Sequence, residues 1–366
     1  MVPRPKAAKR RRTPITSQAR PSSGVQGLES SLQDEKAGSP SGDPESLTSK
    51  SERLKGNRLI RRFHTLSKQL AQLRSQPQSP STVNQIALIE EEIRSLGGIE
   101  RYQRASLNGQ KASKGGESTA KWFGEELREH FGQERSVNLL DVGCLRPSRH
   151  YLRPWIRLRA IDLNPTPMTS QPLAHSPNGP VVVEKADLLS MEWPKRADEK
   201  FHALGLSLVV NFVGDAEERG FMLSRSRLFL RPPSPSPPNV AKSLFSPTST
   251  SPTSDSLPPS LICIVLPAPC VLNSRYLDAE RLEQMMRHLG FTLDRWKVSR
   301  GKAGEKKGKG GSGLAYYIFS WRNWGSGWER LVAREDSVRE KRLPAVKFPK
   351  KQLFPGPGKN NFTIVL

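Results

Sequence analysis

The part of the chain that follows residue 136 alternates short apolar runs with helical patterns, and this alternation constrains the fold more than any other feature. The run at 203–210 is almost continuously apolar, as is typical of a strand covered on both faces. The alternation therefore predicts an α/β fold with a mostly parallel, seven-stranded sheet and helices on both faces. The predicted strands are 137–142, 158–163, 181–185, 203–210, 261–266, 291–298 and 314–321, and the predicted helices are 215–230 and 278–289.

Acidic residues stand at the carboxyl ends of the first three predicted strands, where an open parallel sheet binds its ligands. Asp141 and Gly143 end the first strand, Asp162 ends the second, and Asp187 follows the third. Asp162 lies 21 positions after Asp141, which matches the spacing of about 20 at which an acid reaches a ribose diol. Asp187 is in place for a purine amino group. An aspartate at a strand end is also often a turn residue or helix cap, but three in register favour an adenosine pocket.

The loop after the first strand indicates which adenosine ligand is bound. Residues 141–147 contain a single glycine, whereas a dinucleotide needs several to seat its pyrophosphate on a helix N-terminus. An electronegative pocket without a phosphate nest fits the cationic sulfonium of S-adenosyl-L-methionine. The predicted closing pair of strands, with an antiparallel seventh strand, is typical of methyltransferases.

A methyl acceptor would lie at the end of the fourth strand, where the sequence places Asn211 and Phe212. An asparagine amide can bond a base edge, and a phenylalanine ring can stack on a base. We therefore predict that these two residues carry catalysis. The alternative is an ordinary turn asparagine and a core phenylalanine.

The charge of the chain points to a polyanionic partner. There are 58 Lys and Arg against 35 Asp and Glu, a net charge of +23. Two amphipathic patterns, 53–74 and 83–96, predict an α-helical hairpin. The first helix carries seven basic residues and no acid, so Arg58, Arg61 and Arg62 are predicted to bind RNA phosphates. The alternative is charge pairing within the hairpin with the acids at 90–92.

The organisation along the chain follows from composition. We predict a disordered basic tail over 1–52, the hairpin over 53–98, and a methyltransferase domain over 99–331. The basic run at 9–12 indicates a nuclear import signal or, as the alternative, a phosphate-binding arm. Pro/Ser-rich 232–259 and Gly/Lys-rich 300–313 are predicted disordered insertions. Residues 332–366 are predicted to form a basic C-terminal tail whose last residues dock on the domain.

The three cysteines show neither a disulfide framework nor the spacing of metal ligands, and no apolar run is long enough for a membrane span. We expect an intracellular monomer without a metal.

Three segments resemble a known family, the fungal 25S ribosomal RNA adenine-N(1) methyltransferases. They are LGGIERYQRAS at 96–106, SLVVNFV at 207–213 and NNF at 360–362. The resemblance implies a class I (Rossmann-like) fold, S-adenosyl-L-methionine as methyl donor, large-subunit rRNA or a pre-ribosomal particle as partner, and a location in the nucleus and nucleolus. It also implies that Gly143 and Asp162 contact the cofactor. The alternative is an S-adenosyl-L-methionine sensor without methyl transfer, although the net charge favours the enzyme.

Overall fold

A computed structural model describes residues 50–74, 76–111, 119–165, 176–233, 258–299, 313–328, 331–332 and 347–366. Its centre is a seven-stranded sheet of order β3-β2-β1-β4-β5-β7-β6. Strands β1 to β5 are parallel, and β7 is antiparallel to both of its neighbours, β5 and β6. The strands are β1 (Val137–Val142), β2 (Ile156–Asp162), β3 (Val183–Lys185), β4 (Ala203–Ser207), β5 (Leu261–Pro267), β6 (Phe291–Ser299) and β7 (Leu314–Trp321). The predicted sheet is therefore confirmed, including the antiparallel seventh strand.

The helices of the described residues form an N-terminal group and a group that covers the sheet. The helices are α1 (Lys50–Arg74), α2 (Pro80–Ser95), α3 (Gly98–Lys111), α4 (Thr119–Phe131), α5 (Ala216–Phe229), α6 (Pro269–Leu272) and α7 (Ala279–His288). Helix α5 begins at the N-cap Asp215 and α7 at the N-cap Asp278, whose carboxylates accept backbone N–H bonds of the first turn. Helices α3 and α4 were not predicted from the sequence.

The two faces of the sheet bury separate apolar clusters. On one face α4 contributes Trp122, Phe123 and Leu127, which pack against strand residues such as Leu139 and Ile318. The opposite face is covered by α5 and α7, and its cluster continues into the C-terminal segment. Coverage on both faces explains the continuous apolarity of β4 and β5.

Strand β4 is shorter than predicted because the backbone turns at Leu208, where φ is +61°. A non-glycine residue in this left-handed region cannot continue an extended strand. The sequence after β4 therefore forms a turn, in which the Phe212 N–H donates to the Val209 carbonyl at 2.8 Å. Strand β3 is also shorter than predicted and begins only at Val183.

The helix patterns at 53–74 and 83–96 are confirmed as α1 and α2, but α1 begins at Lys50, so the last three residues of the predicted tail 1–52 are helical. Helix α3 adds a third helix that packs on α1. Residues 1–49, 234–257 and 300–312, which hold most of the predicted disorder, lie outside the described residues. The last residues dock on the domain as predicted, with Phe362 and Ile364 buried. Among the helices described here, none has the length and apolarity to cross a membrane.

Candidate cofactor and acceptor site

The loop after β1 brings bare backbone to the carboxyl edge of the sheet at Gly143. This residue is exposed, has φ +72°, and donates its N–H to the Ile161 carbonyl of β2 at 2.9 Å. A Cβ at this position would lie 2.6 Å from Cγ2 of Val209, in the turn after β4. The positive φ and the close approach of Val209 both require glycine at this position. Because glycine has no side chain, the backbone of the loop can approach a ligand closely.

Asp162 is the last residue of β2 and is half-buried at the same edge. Its Oδ1 accepts a hydrogen bond from the Asn164 N–H at 2.7 Å, which fixes the carboxylate, while burial raises its pKa. The adjoining loop is held from α3, because Gln103 is buried and its side-chain amide donates to the Asn164 carbonyl. The segment at 96–106 that carries the family resemblance thus contacts the loop that follows Asp162.

Asp141 is the last but one residue of β1, at the position that the predicted strand 137–142 gives it, and lies between β2 and β4. Its Oδ1 is 3.2 Å from the point that a Cβ on Gly205 would occupy. Burial raises the pKa of this carboxyl to about 7, and a hydrogen bond with Cys144 acts in the opposite direction. Asp141 therefore contacts the loop after β1 at Cys144, and its contact with a cofactor remains a prediction.

Asp187 follows β3 and is joined to the same edge, since the Ala186 N–H donates to the Asp162 carbonyl at 3.0 Å. Its Oδ1 accepts from the Leu189 N–H at 2.9 Å, and its Oδ2 lies 3.4 Å from the Ser190 hydroxyl. The side chain thus caps a turn, as the alternative interpretation held. Its binding of a purine amino group remains a prediction.

These positions fit a cationic adenosine ligand. Gly143 and Asp187 follow β1 and β3, Asp162 is the last residue of β2 between them, and Asp141 is the last but one residue of β1. A bare backbone and several carboxyl groups favour a sulfonium and an ammonium over a pyrophosphate. The residues present therefore fit S-adenosyl-L-methionine, and the binding of its ribose by Asp162 remains a prediction.

The turn after β4 carries Asn211 and Phe212. Asn211 is buried, and its side-chain Oδ1 has no hydrogen-bond partner among the described residues. An unpaired buried acceptor costs free energy, about 1–3 kcal/mol, unless a ligand supplies the missing donor. Phe212 is 37% exposed, so it is not the core phenylalanine of the alternative interpretation.

An aromatic cluster joins the N-terminal helices to this turn, and it was not foreseen from the sequence. The His64 and Phe212 rings are arranged edge to face, with their centres 3.8 Å apart, and the centre of the Tyr102 ring lies 5.9 Å from that of Phe212. Tyr102 stacks on Phe63 at 4.6 Å. Burial lowers the pKa of His64 to about 4, so its ring is neutral at physiological pH. The sequence signals that could have indicated this cluster were Phe63 on the apolar face of the first helix and Tyr102 in the segment 96–106.

The arginines of α1 that are predicted to bind RNA differ in their contacts. Arg62 forms a two-point ion pair with Glu92 of α2, with Nε and Nη2 donating at 2.5 and 2.6 Å, and Arg74 pairs with Glu90 at 2.7 Å. Arg58 and Arg61 are exposed. Charge pairing within the hairpin thus occurs at Arg62, and RNA binding by these arginines remains a prediction.

A comparison with protein families matches residues 87–364, more than half of the chain, to the family described as 25S rRNA (adenine(2142)-N(1))-methyltransferase, Bmt2. The chain belongs to this family. The match includes the loop at Gly143, the turn at Asn211 and the NNF segment at 360–362. The predicted family resemblance, the class I fold and the methyltransferase class are therefore confirmed, and so is S-adenosyl-L-methionine as the methyl donor.

Two curated relatives agree with this assignment. The chain is 28% identical over 303 residues to the 25S rRNA adenine-N(1) methyltransferase of Schizosaccharomyces pombe, covering 78% of this chain and 89% of that protein. It is 26% identical over 232 residues to the 25S rRNA (adenine(2142)-N(1))-methyltransferase of Saccharomyces cerevisiae, covering 63% of this chain and 57% of that protein. Among solved structures, the N-methyltransferase NodS from Bradyrhizobium japonicum, in complex with S-adenosyl-L-homocysteine, aligns with 12% identity and a TM-score of 0.35, over 60% of this chain and 97% of NodS.

Proposed function

We propose that this chain transfers the methyl group of S-adenosyl-L-methionine to N(1) of an adenine in 25S ribosomal RNA. The observation that carries the proposal is the family match over residues 87–364. The site supports it, because the carboxyl edge of the sheet joins an acidic adenosine pocket to a turn with an unpaired amide oxygen. The sensor alternative finds no support in the relatives, both of which are named as methyltransferases.

Methyl transfer to adenine N(1) requires the protein mainly to position the base and the methyl donor. The bound cofactor supplies an electrophilic methyl group, and adenine N(1) has a free lone pair at neutral pH once the base is unpaired. No strong general base is required, so the residues at the site act by orientation and by exclusion of water. The base must first leave its stack, which costs a few kcal/mol that phosphate contacts offset.

Asn211 and Phe212 are suited to holding the unpaired adenine. The exocyclic amine next to N(1) is a hydrogen-bond donor, which the unpaired Oδ1 of Asn211 can accept. The exposed part of the Phe212 ring can stack on a base. His64 and Tyr102 contact that ring edge to face, so the N-terminal helices help to fix its orientation.

Replacing Asn211 by alanine is expected to slow methyl transfer by roughly 10- to 100-fold, which corresponds to about 1.4–2.7 kcal/mol. The affinity for RNA should stay nearly unchanged, because phosphate contacts dominate such interfaces. Single-turnover methylation and filter binding on the same variant measure the two effects. Unchanged turnover would show that Asn211 is only a turn residue.

Replacing Asp162 by alanine is expected to weaken cofactor binding by roughly 1.5–3 kcal/mol, the usual value for a hydrogen bond to a charged group. Calorimetric titration with S-adenosyl-L-methionine measures the loss, and Asp198→Ala, at an exposed site in the turn before β4, is the matched control. The fold should persist because Asp162 is half-buried at a strand end. Unfolding of the Asp162→Ala variant would instead show that Asp162 is a structural cap.

The proposed place of action is the nucleolus within the nucleus, where large-subunit rRNA is processed. The basic run at 9–12, outside the described residues, supports nuclear import. A fluorescent fusion should accumulate in nucleoli, and deletion of residues 9–12 should shift it to the cytoplasm.

That the chain is a monomer remains a prediction. Sedimentation at several protein concentrations tests it.

Methyl transfer to RNA separates the enzyme from the sensor. Purified protein is incubated with methyl-labelled S-adenosyl-L-methionine and a transcript of the 25S rRNA region. The enzyme incorporates label into RNA at a rate that depends on protein concentration. A sensor binds the cofactor in calorimetry and leaves the RNA unlabelled on every transcript and on purified pre-ribosomal particles.

A further inference from the structure

The segment at 347–366 is fixed to the loop that follows β5 and α6. The Arg275 N–H donates to the Asn360 carbonyl at 3.0 Å, and the Asn360 N–H donates to the Asn273 carbonyl at 2.9 Å. The Leu353 N–H donates to the Arg275 carbonyl at 2.7 Å. These backbone bonds hold the chain on both sides of its tip at 355–358, so the backbone of this segment has a defined path over the domain.

This segment is basic, and aromatic rings are interleaved with its charges. Residues 347–366 contain four lysines and no acid. The Lys350 ammonium lies 4.7 Å from the centre of the Tyr276 ring, and that of Lys359 lies 4.9 Å from the Phe354 ring, which is 41% exposed. Lys351 is exposed. In the described part of the chain, no ion pair engages a lysine of this segment, in contrast to Arg62 and Arg74 of α1.

The same segment adjoins the acceptor turn through the buried Arg219. Its guanidinium donates to the carbonyls of Val213 at 2.8 Å and Gly214 at 2.7 Å, directly after Phe212. It also donates to the Thr363 carbonyl at 2.6 Å. One side chain thus holds the acceptor turn and the C-terminal segment together, and the contact at Thr363 is four residues along the chain from Lys359.

We propose that Lys350, Lys351, Phe354 and Lys359, named here the C-terminal basic surface, bind the RNA strand that flanks the target adenine. The lysines neutralise phosphates, and the Phe354 ring offers a stacking face for an unpaired base. The inference rests on the proposed function in that it takes RNA as the acceptor. It assigns RNA binding to a surface other than the α1 arginines, one of which is held by Glu92.

The test compares two triple charge reversals in the full chain. The first is Lys350→Glu, Lys351→Glu and Lys359→Glu. The control is Arg128→Glu, Arg153→Glu and Arg157→Glu, three exposed arginines on α4 and near the start of β2, with the same change in net charge. Fluorescence anisotropy with a labelled 25S rRNA fragment across a salt series measures affinity and salt slope, and calorimetry measures cofactor binding.

The first variant should bind RNA at least about 10-fold more weakly than the control, with a salt slope reduced by about two to three units. Its affinity for S-adenosyl-L-methionine should equal that of the wild type. If this variant misfolds, Lys351→Glu alone should still reduce the slope by about one unit. Phe354→Ala should weaken binding without changing the slope.

Equal affinity and slope for the wild type and the first variant would overturn the inference, as would an equal loss in the control. Failure of the proposed function is distinguishable, because the wild type itself would then transfer no methyl group to RNA. A wild type that methylates the fragment while the C-terminal reversals have no effect leaves the function intact and removes only this surface.

Discussion

Substitution of Gly143 by arginine is expected to abolish detectable binding of S-adenosyl-L-methionine, a loss of at least about 100-fold or 2.7 kcal/mol. The residue has φ +72°, and a Cβ would lie 2.6 Å from Cγ2 of Val209. The arginine side chain would extend into the space between the first loop and the turn after β4, and its charge would oppose the sulfonium. Calorimetric titration of the folded variant measures the loss.

Gly132→Arg is the matched control for this substitution. Gly132 also has positive φ, at +74°, but a Cβ there meets nothing within 4 Å. It precedes β1, at the edge of the sheet opposite Gly143. Both variants carry the backbone strain and the added charge, so only Gly143→Arg should lose the cofactor. Wild-type affinity in Gly143→Arg would remove the proposed site.

Substitution of Arg227 by alanine is expected to lower the free energy of unfolding by about 3–5 kcal/mol, because buried carbonyls lose their hydrogen-bond donor and a large side chain is removed from the core. Arg227 is completely buried in α5, and burial lowers its pKa to about 9. Its guanidinium donates to the carbonyls of Trp324 at 3.0 Å and Ser326 at 3.2 Å, and to Ser224 of its own helix. Alanine would leave these carbonyls without their donor and open a cavity.

Urea unfolding of the full chain measures this effect. Arg287→Ala is the control, since Arg287 is exposed and its pair with Glu283 at i, i+4 contributes only about 0.3–0.5 kcal/mol. A loss below about 1 kcal/mol in Arg227→Ala would show that water replaces the guanidinium at these carbonyls.

Much of the sheet could be predicted because its signals are local. Apolar runs specify the strands, Asp215 and Asp278 cap the helices that follow them, and the pair β6 and β7 closes the sheet as expected. The adjacency of Asp162 and Gly143 followed from topology alone, since parallel neighbouring strands end at one edge.

The features that escaped prediction depend on contacts between distant segments. The cluster of His64, Tyr102 and Phe212 combines α1, α3 and the turn after β4, and no periodicity within one segment reports it. The partner of Arg62 was equally ambiguous, because a basic helix face is compatible with both Glu92 and a phosphate.

Primer extension along large-subunit rRNA tests the central claim most directly, because a methyl group on N(1) blocks base pairing and stops reverse transcriptase. RNA is compared from cells with the wild-type chain, without the chain, and with Gly143→Arg in its place. We expect one strong stop next to a single adenine in the wild type, absent from the other two. Identical stops in all three samples would contradict the assignment of this chain as the adenine-N(1) methyltransferase.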